Sequence, residues 1–191
     1  MTTYELVVFF HVACAIVWLG SGVLTALLEL KASRSGDPEE IRRVGADGEW
    51  LAPRLFIPLS LATLVFGILA VAEGPWTFRT LWVDLGLAGF ATTFATGMLV
   101  IKPSTEKLKR AAEQYGAASP EAGRYARRLS LATRLDLVVL FAVVAVMVSK
   151  PYSGETGTLV GLAAGVVAAC LVLAWTGRPA RTPARDVPLP H

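Results

Sequence analysis

The sequence predicts an all-α, polytopic membrane bundle of five transmembrane helices, and three observations predict it. Of 191 residues, 54% are hydrophobic and 17% charged, and the mean hydropathy is +0.55. That balance excludes a solvated or disordered chain. The apolar residues come in five blocks of roughly twenty, not in amphipathic stripes, which is the length a helix needs to cross hydrocarbon. The basic residues gather in alternate connections between those blocks. A net charge of +3 and a pI near 9.1 would suit nucleic acid, but the basic residues flank apolar spans and act as an orientation signal. The expected partner is the lipid bilayer, with no nucleic acid.

The spans fall at residues 5–28, 55–73, 82–101, 130–149 and 157–176. A helix rises about 1.5 Å per residue and must cross about 30 Å of hydrocarbon, so each is long enough. The first is not read as a signal peptide, because Met1-Thr2-Thr3-Tyr4-Glu5 carries no basic residue and no small-residue cleavage site follows a short apolar core. The connection between the first two spans holds Lys31, Arg34, Arg42, Arg43 and Arg54. The one between the third and fourth holds Lys102, Lys107, Lys109, Arg110, Arg124, Arg127 and Arg128. The other two connections carry only Arg79 and Lys150. The positive-inside rule therefore places the N-terminus outside and the tail in the cytoplasm. Trp76, Trp82 and Tyr152 fall in the outer aromatic belt, and Trp50 and Trp175 in the inner one.

The basic connections read as partly helical. Asp37-Pro38-Glu39-Glu40 combines an N-cap, a proline at the first helical position and acids in the first turn. Ser119-Pro120-Glu121 repeats that signal and predicts one helix running from Pro120 into the fourth span. Residues 104–115 form a charged amphipathic stretch stopped by Gly116. The basic, proline-rich tail 177–191, ending in His191, reads as disordered.

Depth follows from span position. His11 is the one histidine inside a span, about two turns below the outer surface. Met147 and Asp84 share the outer leaflet, and Cys14 lies one turn deeper on the face of His11, with Trp18 beyond it. Near the inner boundary lie Glu29, Arg54, Met98, Arg134 and Asp136. An ionisable group within the bilayer costs about 2.5–3.5 kcal/mol on insertion scales, so each needs a reason. His11 is either a metal or haem ligand, or a neutral imidazole bonded to a backbone carbonyl or to Asp84. Arg54, Asp84, Arg134, Asp136 and Lys150 are read as structural polar groups, through snorkelling or ion pairs. Cys14 and Cys170 are read as packing residues at different depths, too far apart to bridge.

Gly157, Gly161 and Gly165 recur every four residues with Ala169, giving the fifth span a smooth face for an intrachain groove or a homo-oligomer contact. No phosphate-binding loop, dinucleotide fingerprint, zinc spacing or nucleophile elbow occurs, and no serine stands in a motif with the intramembrane histidine. A hydrolytic triad is thereby excluded.

Four stretches bring a family group into view: His11 followed by Trp18-Leu19-Gly20; Arg54-Leu55-Phe56-Ile57-Pro58 with Thr63 and Gly67; Trp82 to Pro103; and Val148-Ser149-Lys150-Pro151. Together they resemble small bacterial membrane proteins that include HemJ-type protoporphyrinogen oxidases, CopD-type copper-resistance proteins and a related predicted integral membrane family of unknown function. The third stretch is most similar to the last of these. The likeness implies a four-span core over 1–151, an added fifth helix over 152–176, and the tail. It also implies b-type haem at His11, as in the HemJ-type enzymes. The chain departs from those enzymes at Leu28-Glu29-Leu30-Lys31-Ala32, where they carry a histidine, and in the third span, which offers Asp84, Thr92 and Thr93. Oxidase activity thus rests on resemblance alone.

Three functions follow as expectations. The first is a redox protein holding haem b between His11 and Met147, with Trp18 beside the macrocycle. The second is copper handling by the soft set His11, Cys14 and Met147. The third is a cofactor-free accessory or scaffolding protein that associates through Gly157, Gly161 and Gly165.

Overall fold

A computed structural model describes residues 1–35, 37–117 and 119–176, apart from the side chains of residues 33, 38 and 174–176. The sequence expectations for Trp175 and for the tail with His191 lie outside the described residues. The described chain is all helical, and five of its helical stretches are long and apolar enough to cross a membrane.

Helix α1 (Thr3–Ser35) runs 33 residues, about 50 Å at 1.5 Å per residue, and so projects beyond the hydrocarbon. Helix α2 (Pro38–Leu51) starts where the capping signal predicts, with the Asp37 carboxylate accepting from the Glu39 amide. It continues through a π turn, Ala52–Phe56, into α3 (Ile57–Glu73). Helix α4 (Leu81–Thr96) continues likewise through a π turn, Gly97–Ile101, into α5 (Lys102–Tyr115). Gly116, at φ 88°, ends α5 in a backbone region that glycine enters without steric cost. Helix α6 (Pro120–Ser149) is the single long helix expected from Pro120, with the Ser119 hydroxyl accepting from the Ala122 amide. Helix α7 (Thr156–Thr176) completes the chain.

The π turns share one cause. Each ends one residue before an X-Pro step: Ile57 N–H donates to the Ala52 carbonyl before Pro58, and Lys102 N–H to the Gly97 carbonyl before Pro103. Proline has no N–H, and its ring crowds the carbonyl four residues back. Widening the preceding turn to i→i−5 bonding relieves that crowding while the helix carries on. The amphipathic stretches α2 and α5 are therefore continuous with membrane helices α3 and α4.

Two antiparallel seams hold the bundle. Along α1 and α3, Tyr4 lies against Gly74, just past the end of α3, Phe10 stacks on Phe66 with centroids 5.3 Å apart, and His11 lies against Gly67. Along α4 and α6, Gly86 receives the Met147 methyl and Gly89 receives a methyl of Val143. Trp82 and Val83, both buried, join Val71 of α3 in a small apolar cluster flanked by Trp76, Val146 and Met147. Helix α1 also meets α6, where Leu137 Cδ2 stands 3.2 Å from the position of a Cβ on Gly22. Helix α7 is carried on α6, with much of its apolar surface facing outward, as a lipid-embedded helix requires.

The seam between α4 and α6 is sensitive in a graded way. Val143 is β-branched and almost fixed in χ1 on a helix, whereas Met147 bends easily. Gly89→Ala is expected to cost about 1–3 kcal/mol by overpacking and Gly86→Ala less. Gly20→Ala, with nothing within 4 Å of the added methyl, should leave the melting midpoint of detergent-solubilised protein unchanged. Equal midpoints for Gly89→Ala and Gly20→Ala would contradict this packing.

Candidate functional site

His11 is the centre of the best-built polar contact inside the spans. Its Nδ1 lies 2.8 Å from the Thr63 carbonyl oxygen of α3. A carbonyl only accepts, so Nδ1 is protonated and donates, and in the neutral ring Nε2 is then the nitrogen that carries the lone pair. Thr63 and Gly67 are i and i+4 in α3, so the same carbonyl also takes the helical bond from the Gly67 amide, using its second lone pair. The absent side chain of Gly67 makes room: a Cβ there would stand 3.0 Å from both Nδ1 and Cε1 of the imidazole. Thr63 is buried and turns its hydroxyl back to the Leu59 carbonyl, so it offers His11 only its backbone. Of the two hydrogen-bond partners weighed for His11, the backbone carbonyl is the one engaged. Asp84 is exposed in the first turn of α4, where a negative charge suits the helix N-terminus.

The other expected site residues are distributed differently. Met147 fits its methyl against Gly86, within the seam between α4 and α6. Trp18 meets Phe90 of α4 edge to face, with centroids 6.0 Å apart. Cys14 and Cys170 are free thiols, both partly buried. No hydrogen bond or ring contact joins His11 to Cys14, Trp18 or Met147 among the described residues. Nor do any three His, Cys, Asp or Glu side chains come together there. Gly157, Gly161 and Gly165 are exposed, with nothing within 4 Å of an added Cβ.

The end of the bundle holding the N-terminus carries a second cluster. Lys150 closes α6 in the left-handed conformation, φ 44°, with its amide donating to the Val146 carbonyl at 2.8 Å. Its Nζ lies 4.7 Å from the ring centre of Trp76 and 5.5 Å from that of Trp82, and the two indoles meet edge to face. Pro151 behind it is fully buried. The Trp82 indole N–H is buried without a hydrogen-bond partner among the described residues.

At the opposite, basic end, Lys31 pairs with Glu40 at 3.2 Å and Lys109 with Glu49 at 3.3 Å, tying α2 to α1 and to α5. One oxygen each of Glu29 and Asp136 is buried without a partner among the described residues. Arg54 stacks on Trp50, its guanidinium carbon 4.7 Å from the ring centre. Sequence reading located Arg54 and Trp50 singly but missed their pairing, the Glu49–Lys109 bridge beside them and the role of Gly67. The prolines at 53, 58 and 103 signalled irregular helix; nothing local signalled which helices would meet.

Residues 5–151 match the family described as predicted integral membrane protein (DUF2269), and the chain belongs to that family. The match takes in the four membrane helices through α6 and ends before α7. No curated protein and no solved structure matches the chain. The protein is thus an integral membrane protein of a family without an assigned activity.

The closing of α6 is open to a paired test. Lys150→Leu gives up the cation over two indoles, worth about 0.5–2 kcal/mol, while keeping a side chain on a left-handed residue. Lys150→Gly gives up the same cation but relieves about 1–2 kcal/mol of backbone strain. Lys150→Gly should therefore melt above Lys150→Leu; the reverse order would remove strain from the account.

Proposed function

We propose that the protein is a b-type haem-binding redox protein of the membrane in which His11 is an axial ligand. The observation that supports this reading is the bond from Nδ1–H to the Thr63 carbonyl, which orients the ring and leaves Nε2 as the donor atom. This is how protein sites commonly prepare a ligating histidine: the second nitrogen is spent on a fixed acceptor. Gly67 lets the imidazole approach, and the Phe10–Phe66 stack shields the same level of the seam. The resemblance to HemJ-type proteins at His11 points the same way. Met147 is committed to Gly86, so the reading uses one protein ligand per chain and does not require Met147. Bound haem would supply one-electron chemistry at a potential set by its axial ligand and burial. The chain's own part is to hold Nδ1 on the Thr63 carbonyl and so fix the ring. We read the membrane as a bacterial cytoplasmic membrane with the basic end inward.

The test is the absorption spectrum of detergent-purified protein, oxidised and then reduced with dithionite. A Soret band with sharpened α and β bands on reduction is expected, and His11→Ala should abolish it. Gly67→Val keeps the imidazole but crowds its slot, and should lower haem occupancy or shift the band. A featureless spectrum after growth with haem precursor would overturn the reading.

A second reading is a scaffolding protein that associates through α7. The observation favouring it is that an added Cβ on Gly157, Gly161 or Gly165 meets nothing within 4 Å among the described residues, although their smallness is what close helix association uses. Gly161 and Gly165 line one side of an apolar groove of about 510 Å³ against Phe141 and Ala145 of α6. Gly161→Leu should then dissociate an oligomer measured by light scattering in detergent, and an unchanged mass would remove this reading. Copper handling would need His11, Cys14 and Met147 to converge on one ion.

A further inference from the structure

We infer that Trp50, Arg54 and Lys109 form a site for the phosphate headgroup of an anionic phospholipid in the leaflet at the basic end of the bundle. The three side chains, with Ala46 and Glu49, line one pocket between α2, the first π turn and α5. Its volume of about 280 Å³ sits at the lower edge of the roughly 300–1,000 Å³ range of small-molecule sites, a size that suits a headgroup and not a whole lipid.

Depth selects the ligand. Arg54 is the last charged residue before an apolar run that starts at Leu55, so the guanidinium stands at the level of the lipid phosphates. Trp50, an interfacial residue by chemistry and 57% exposed, supports it from below. Of the five N–H donors on a guanidinium, Nη1 spends one on the Trp50 carbonyl at 3.1 Å. No carboxylate forms an ion pair with Arg54 among the described residues, whereas Lys31, Arg42, Arg43 and Lys109 all have one. Arg54 is thus a pre-oriented, planar donor with unspent hydrogen bonds, the geometry that takes a phosphate bidentately. Lys109, across the pocket on α5, supplies a second positive charge and is held 3.3 Å from Glu49. The pocket's ionisable groups sum to one net positive charge, from two cations and one anion. Basic pockets between membrane helices on the cytoplasmic side are a recurrent means of holding acidic headgroups.

Glu49 makes the inference sharp, because it competes with the ligand for Lys109. Removing its charge should strengthen binding, an outcome that misfolding does not produce. The experiment uses the full chain, delipidated in maltoside detergent, and measures retained lipid by native mass spectrometry after addition of dioleoyl phosphatidylglycerol. Phosphatidylglycerol should bind and dioleoyl phosphatidylcholine should not. Arg54→Gln combined with Lys109→Gln should lower phosphatidylglycerol occupancy at least fivefold, and Glu49→Gln should raise it at least twofold. Arg79→Gln, at the other end of the bundle, should leave it unchanged. Equal occupancy by the two lipids, or no response to either the double substitution or Glu49→Gln, would overturn the proposal. Displacement of the lipid by inorganic phosphate at millimolar concentration would overturn the lipid assignment in favour of a soluble phosphate.

Discussion

Hydrocarbon offers no hydrogen bonds, and every backbone amide and carbonyl within it must find a partner inside the protein. The architecture follows from that constraint. The described chain contains helices alone, and where proline breaks the α ladder at Pro58 and Pro103 the helix does not stop but shifts to i→i−5 bonding for one turn. An open break at those depths would leave carbonyls bare in or near lipid, at several kcal/mol each. The π turn satisfies them and also redirects the helix as it leaves the membrane. This gives α2 and α5 their positions at the basic end and sets Arg54 beside Trp50.

With backbone bonds spent within helices, only packing and a few polar contacts remain to join one helix to another, since lipid tails are as apolar as the side chains themselves. The two seams use glycine for this purpose in different ways. On α4, Gly86 and Gly89 are sockets for Met147 and Val143, and their service is shape. On α3, Gly67 is a socket for an imidazole, and its service is also electrostatic, because it exposes the Thr63 carbonyl to a second donor. A histidine satisfied by a backbone carbonyl lowers the cost of placing a polar ring in the bilayer. The same bond decides which nitrogen keeps its lone pair.

The two ends of the bundle show opposite economies of charge. At the N-terminal end one cation, Lys150, is set over two indoles at a helix terminus that already favours positive charge. At the basic end charges are numerous, and two pairs, Lys31–Glu40 and Lys109–Glu49, cross between elements, so that helices outside the hydrocarbon are tied by contacts that water screens. Arg54 there meets the face of Trp50 and its carbonyl.

The sequence by itself determined the class, the five spans, both helix caps at Asp37 and Ser119, the stop at Gly116 and the unbroken helix from Pro120. Each of these is decided by residues adjacent along the chain: hydropathy summed over about twenty positions, or a cap within one turn. It also marked His11, Arg54 and Lys150 as polar residues in need of a reason. What only tertiary structure decided was the reason. Whether His11 would face Asp84, Met147 or a carbonyl depended on α1 lying against α3, and a backbone carbonyl carries no sequence signal at all. That His11 meets Gly67 of α3 while Met147 meets Gly86 of α4 is likewise not readable from depth. Depth is a one-dimensional property readable from a string; azimuth around the bundle is set by which small residues admit which large ones, and that emerges only when the helices meet.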